Sequence, residues 1–104
     1  MPEYPVRRPL KRPPSHPGEL MREILEDHVK LSVAEASQRM HISRPALYAV
    51  LNETSAVTAD MALRFARLTG GTADLYLQMQ AARDLWQAAE RLHDELAEIE
   101  PVAA

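Results

Sequence analysis

Apolar residues recur along most of this chain at spacings of three and four, the period of helices with one buried face. Five helices are predicted. The first, about 17–28, begins at Pro17 and Gly18 and turns Leu20, Ile24 and Leu25 inward. The second, about 33–40, opens at Ser32, whose hydroxyl can cap it while Glu35 reaches back to the cap's amide in a capping box. Val33, Ala36, Ser37 and Met40 share one of its faces, and Ala34, Glu35, Gln38 and Arg39 the other. The third, about 44–52, is capped by Ser43 and tolerates Pro45 because first-turn amides have no intrahelical partner to lose. The fourth, about 59–69, is capped by Thr58, carries Met61, Leu63, Phe65, Ala66 and Leu68, and ends at Gly70 and Gly71. Thr72 is expected to cap a fifth helix that runs unbroken to about Ile99.

Helices two and three, joined by the short turn at His41 and Ile42, have the outline of a helix-turn-helix, whose second helix enters a DNA major groove. The small residues Ala36 and Ser37 suit two helices that cross closely. Leu47, Val50 and Leu51 point inward on the third helix, which leaves Arg44, Pro45, Tyr48, Ala49 and Asn52 on its open face.

The fifth helix carries a second message. Leu75, Met79, Ala82, Trp86 and Ala89 form one apolar series, and Leu85, Ala89, Leu92, Leu96 and Ile99 extend it. About 27 residues of helix are roughly 40 Å long, more than so small a domain can cover. A second copy of the chain is the simplest cover, so Leu85, Trp86, Ala89, Leu92, Leu96 and Ile99 are expected at a dimer interface, with Trp86 also fitting the core. A two-fold homodimer would set two reading helices about 34 Å apart, matching a palindromic double-stranded site.

At 104 residues the chain is one small domain, with 46% hydrophobic residues, eight prolines, three glycines and few aromatics, in keeping with an all-α fold plus a tail. The absence of cysteine removes disulfides and thiolate metal sites and fits a reducing cytoplasm. No apolar run approaches the roughly 18 residues of a membrane span, and the N-terminus lacks a signal peptide's hydrophobic stretch, so no membrane association is expected. The net charge of −3 is unevenly spread: eight Lys and Arg face six acids through Asn52, a net +2, and four Arg face nine acids from Glu53 onward, a net −5. A weakly basic front and an acidic back would orient the protein on a polyanion. The histidines His16, His28, His41 and His93 lie in different segments without ligand spacing, so neither a catalytic site, a metal nor a cofactor is expected, and His16 is assigned to the start of the first helix.

The segments HPGELMREIL (16–25), SRPALYAVLN (43–52), TADMALRFARLTG (58–70) and LYLQMQAARDLW (75–86) together resemble the HigA family of antitoxins, within the repressor-like helix-turn-helix group. The resemblance covers about residues 16–90. It implies a five-helix repressor-like domain in an all-α chain with a long C-terminal helix and an extended basic N-terminal tail. It also implies a DNA-binding antitoxin that represses its own operon and binds a cognate toxin, usually an RNase acting on messenger RNA. The chain then divides into a proline-rich basic tail (1–15), a helix-turn-helix domain (16–71), a long dimerising helix (72–100) and a disordered end (101–104).

Three positions depart from the family pattern. Val33 stands where a phosphate-holding glutamine is common, His41 stands where a glycine is usual and must accept a positive φ, and Glu53 replaces another common glycine. On the reading face, hydrogen-bonded base contacts fall mainly to Arg44, whose fork matches guanine O6 and N7, with Tyr48 and Asn52 as helpers. Pro45, Ala46 and Ala49 can meet thymine methyls. Ser32, Ser43, Asn52, Thr54 and Ser55 are the expected backbone ligands, through side chains and helix-start amides. The toxin-binding surface is not legible, and the tail keeps three roles open: a minor-groove arm, a toxin-docking segment or a solvated terminus. Two other functions also fit the residues: an interaction module that kept the helix-turn-helix shape with little DNA affinity, and a repressor without a toxin.

Overall fold

The computed structural model describes residues 12–102, and every regular element among them is helical. Residues 1–11 of the basic tail, with Arg7, Arg8 and Lys11, and residues 103 and 104 lie outside the described residues. In chain order the α-helices are α1 (Pro17–Glu23), α2 (Val33–Met40), α3 (Arg44–Leu51), α4 (Ala59–Thr69), α5 (Ala73–Arg91) and α6 (His93–Glu98). Between α1 and α2 lies a π-helical turn, Ile24–His28.

His16 starts α1. Its Nδ1 accepts the Gly18 amide at 2.8 Å, so the ring proton sits on Nε2, which lies 2.9 Å from the Ser55 carbonyl and donates to it. One buried imidazole thus caps α1 and ties its start to the loop after α3. Gly18 is required at this crossing, since a Cβ there would fall 2.1 Å from the Val50 carbonyl oxygen on α3. The π turn closes through Val29 N to Ile24 O at 2.9 Å and ends with Lys30 at φ 54°.

Ser32, Ser43 and Thr58 cap α2, α3 and α4, each accepting the amide three residues on. Two expectations about caps are corrected. Glu35 turns forward to Arg39 at 2.9 Å rather than back to the cap, because a cation one turn along its own helix competes for the carboxylate. Thr72 makes no side-chain cap bond.

The turns after α2 and α3 are built alike. Ile42 N bonds Ser37 O and His41 N bonds Gln38 O; Thr54 N bonds Ala49 O and Glu53 N bonds Val50 O. This paired pattern is the Schellman motif, and it places His41 (φ 59°) and Glu53 (φ 64°) in the left-handed region where glycine is favoured. Arg64 on α4 adds a further hold on the first turn, donating to Met40 O at 2.8 Å.

The core gathers Met21 and Leu25, Ala36 and Met40, Leu47, Val50 and Leu51, Val57, and Met61, Ala62, Phe65 and Ala66, closed by Tyr76. Tyr76 meets Phe65 edge to face, with ring centroids 5.3 Å apart and planes at 87°. This corrects the inward stripe of the fifth helix by one residue: Tyr76 and Gln80 are buried, whereas Leu75 is 45% exposed. Leu63, expected with the apolar face of the fourth helix, is 62% exposed, and Ala62 takes the buried place.

The expected unbroken fifth helix is two helices. Leu92 leaves helical geometry (φ −97°, ψ 9°), its amide still bonding Ala88 O, and α6 restarts at His93. No proline or glycine causes the break. The break falls where no core residue holds the helix; tertiary packing supplies most helical stability, so local geometry decides there. At the other end of the chain, Pro14 is not loose: its carbonyl accepts Arg83 of α5 at 2.9 Å.

Candidate nucleic-acid interface

Three elements meet on one face: the start of α2, the open side of α3, and the loop 52–57 that follows it. Their arrangement comes from the core. Leu47, Val50 and Leu51 are at most 3% exposed and fix the rotation of α3, which forces the intervening residues outward. Arg44, Pro45, Ala46 and Asn52 are exposed, Tyr48 is 46% exposed, and Ala49 is half-buried.

Arg44 is the first residue of α3, so its side chain leaves from the end of the helix that would penetrate deepest into a groove. Pro45 follows in the first turn and, lacking an amide, leaves nothing there unsatisfied. Tyr48, one turn on from Arg44, is exposed on the same side of the helix.

The serines keep a donor for a partner. Ser32 and Ser43 use an oxygen lone pair for their caps, so each retains its hydroxyl proton, and both are exposed. Thr54 differs from expectation. Its hydroxyl proton goes to Ala49 O at 3.1 Å, and the amides of Thr54 and Ser55 go to the same carbonyl at 2.9 and 3.1 Å. A carbonyl at the end of a helix lacks its own intrahelical donor and draws all three. Thr54 therefore offers no donor to a phosphate in this state, and the loop offers neither of those amides. Ser55 presents its exposed side chain while its carbonyl holds His16.

Asn52 is the junction between the end of α3 and α1. Its Oδ1 accepts Nη2 of Arg22 at 2.5 Å, which leaves the amide nitrogen as the group turned outward. Arg22 also approaches Glu26, 3.6 Å away. Sequence reasoning missed Arg22. It reads as one more polar residue on α1, and only the crossing at Gly18 and Val50 places it, one turn later, beside the end of α3. Gln80 was missed for a related reason: it is 7% exposed, its Oε1 accepts the buried Val57 amide at 2.8 Å, and its Nε2 donates to Asp84 at 2.9 Å. It anchors the loop after α3 from α5.

Away from this face, the second half of α5 and α6 present Leu85 (73% exposed), Leu96 (49%) and Ile99 (66%), with Ala89 exposed and Trp86 and Leu92 half-buried. No helix among the described residues is long and apolar enough to cross a membrane.

No protein-family model matches the chain. It is 33% identical over 94 residues to an uncharacterised helix-turn-helix-type transcriptional regulator of Escherichia coli (strain K12), YbaQ, covering 88% of this chain and 83% of that protein. Among solved structures, an addiction module antidote protein of the HigA family from Coxiella burnetii superposes with a TM-score of 0.77 at 31% identity, covering 86% of this chain and 99% of that one. The antitoxin GraA in complex with its operator superposes with a TM-score of 0.81 at 29% identity, over 95% and 99% of the two chains.

Proposed function

Because this chain belongs to the HigA family of helix-turn-helix antitoxins, we propose that it is a cytoplasmic, dimeric DNA-binding antitoxin. It represses its own operon and neutralises a cognate messenger-RNA-cleaving toxin by direct binding. The observation that carries the DNA part is the orientation of α3: three buried residues hold it so that Arg44, Pro45 and Tyr48 stand free at the end a groove would receive. The likeness to an antitoxin bound to its operator supports the same reading.

Arg44 reads a guanine through its fork, Tyr48 adds a single hydrogen bond, Pro45 and Ala49 meet thymine methyls, and Asn52 at the far end of α3 faces the backbone. Ser32, Ser43 and Ser55 hold the backbone and set the register. Two copies joined through Leu85, Trp86, Ala89, Leu92, Leu96 and Ile99 bury the stripe that one copy leaves exposed, and the two-fold axis matches a palindromic operator.

The test is binding of the purified chain to the duplex upstream of its own gene across a salt series, paired with co-purification of the product of the neighbouring reading frame. A steep fall of affinity with salt supports the repressor role. Absence of binding at low salt would leave an interaction module that kept only the shape, the reading to which Glu53 and the inward Thr54 hydroxyl contribute. A neighbour that neither co-purifies nor is inhibited would remove the toxin-neutralising role and leave a repressor.

A further inference from the structure

We propose that Arg22 is a phosphate ligand: its guanidinium, held on Asn52, closes one side of a seat for a single DNA backbone phosphate whose other side is Ser32 at the start of α2. This rests on the DNA-binding reading above and adds a residue from α1, outside the helix-turn-helix.

The seat is a cavity of about 160 Å³ between α1, the start of α2 and the end of α3, with Arg22, Glu26 and Ser32 on its polar side and Leu25, Leu31, Val33 and Leu51 on its apolar side. A phosphodiester there needs donors. Val33 provides none from its side chain, and Ser32 retains one hydroxyl proton, since its oxygen caps the helix. Arg22 supplies the charge. Its Nη2 is placed by Asn52, while Nη1 has only the 3.6 Å approach of Glu26, an exposed carboxylate one turn along the same helix. Glu26 can swing away into water, and the planar fork then meets phosphate oxygens in the geometry for which arginine is suited.

Position along the reading helix separates this role from base reading. Arg44 is at the N-terminal end of α3, and Asn52 is eight residues on, about 12 Å along the axis. The N-terminal residues of a recognition helix contact bases, so the far end, where Arg22 stands, lies at the groove's rim beside the sugar-phosphate strand. The bond to Arg22 also decides the amide of Asn52, turning its oxygen inward and its two donors toward the same strand.

The experiment measures affinity of the full chain, Arg22→Met and Arg22→Lys for the duplex upstream of its own gene and for a random duplex, from about 50 to 200 mM salt. A phosphate ligand contributes about 0.9 to the slope of log affinity against log salt. Arg22→Met is expected to lower the slope by about that amount per half-site and to weaken both duplexes by similar factors. Arg22→Lys is expected to keep the slope, because the charge remains, while losing affinity with the fork. The slope does not depend on the fraction of protein folded, so partial unfolding of a variant cannot imitate the result. An unchanged slope for Arg22→Met would overturn the proposal and leave Arg22 as a positioning residue for Asn52; a slope lost equally in Arg22→Lys would overturn it too. Failure of the unaltered chain to bind at low salt would remove the DNA-binding reading itself, and the phosphate seat with it.

Discussion

Replacing Gln80 by leucine tests the least expected contact in the fold. Val57 sits in the loop between α3 and α4, and its amide is satisfied by Gln80 Oε1 at 2.8 Å in surroundings where Val57 and Gln80 are 4% and 7% exposed. Leucine fills a similar volume but accepts nothing, so a buried N–H loses its partner at a cost of about 1–3 kcal/mol. The bond from Gln80 to Asp84 is lost as well, but Asp84 is exposed and finds water instead, so Asp84→Ala should stay within about 0.5 kcal/mol of the parent. Urea unfolding followed by helical circular dichroism reads the difference as a shift in midpoint at constant slope. All samples must share one protein concentration, because a dimer couples stability to concentration. On a domain of this size each kcal/mol should lower Tm by roughly 4–8 °C. If Gln80→Leu lay within about 0.5 kcal/mol of the parent, or Asp84→Ala cost as much, the buried amide would not be the seat of the energy.

Gly18→Ala places a Cβ 2.1 Å from the Val50 carbonyl oxygen and 2.9 Å from His16 Nδ1, so α1 must move from α3 at a cost of about 1–3 kcal/mol, measurable in the same urea titration. Arg44→Ala should cost about 1–3 kcal/mol on the operator and relax preference at one base pair of each half-site; equal weakening on random duplex would make Arg44 a phosphate contact only. Leu85→Glu combined with Leu96→Glu should convert the proposed dimer to a folded monomer in sedimentation equilibrium, because both side chains are exposed in one copy and the proposed interface would cover them. A double variant that still sediments as the dimer would place the interface elsewhere.

The local grammar of this chain was legible because it operates within a few residues. Ser32, Ser43 and Thr58 are caps in the sequence and in the structure, since a hydroxyl at the start of a helix meets the amide three residues on whatever surrounds it. The positive φ at His41 was legible from the family pattern, and the turn geometry that demands it is local too. The open side of α3 followed from period alone, and Arg44 and Tyr48 stand there. The family was legible in short signatures, HPGE and ADMALR above all, and the relatives agree.

What spacing did not predict were choices between two nearby partners and contacts with distant ones. Glu35 chose Arg39 over the cap amide, and Thr54 turned its hydroxyl to Ala49; both are competitions between two acceptable partners that spacing cannot rank. Gln80 is polar and was left out of the inward face, yet a buried amide 23 residues away required it. The break at Leu92 has no breaker residue to announce it.

The sequence by itself determined that this is a helical chain capped at Ser32, Ser43 and Thr58, with an open face on α3 that carries Arg44 and Tyr48 among small apolar residues, because helix period and capping are short-range physics. Tertiary structure decided which residues stand beside that face. Gly18 against Val50 is a contact across 32 positions that no periodicity encodes, and through it Arg22 reaches Asn52 and His16 reaches Ser55. Close packing of one helix on another, rather than any local preference, brings a cation of α1 beside Asn52 at the end of α3.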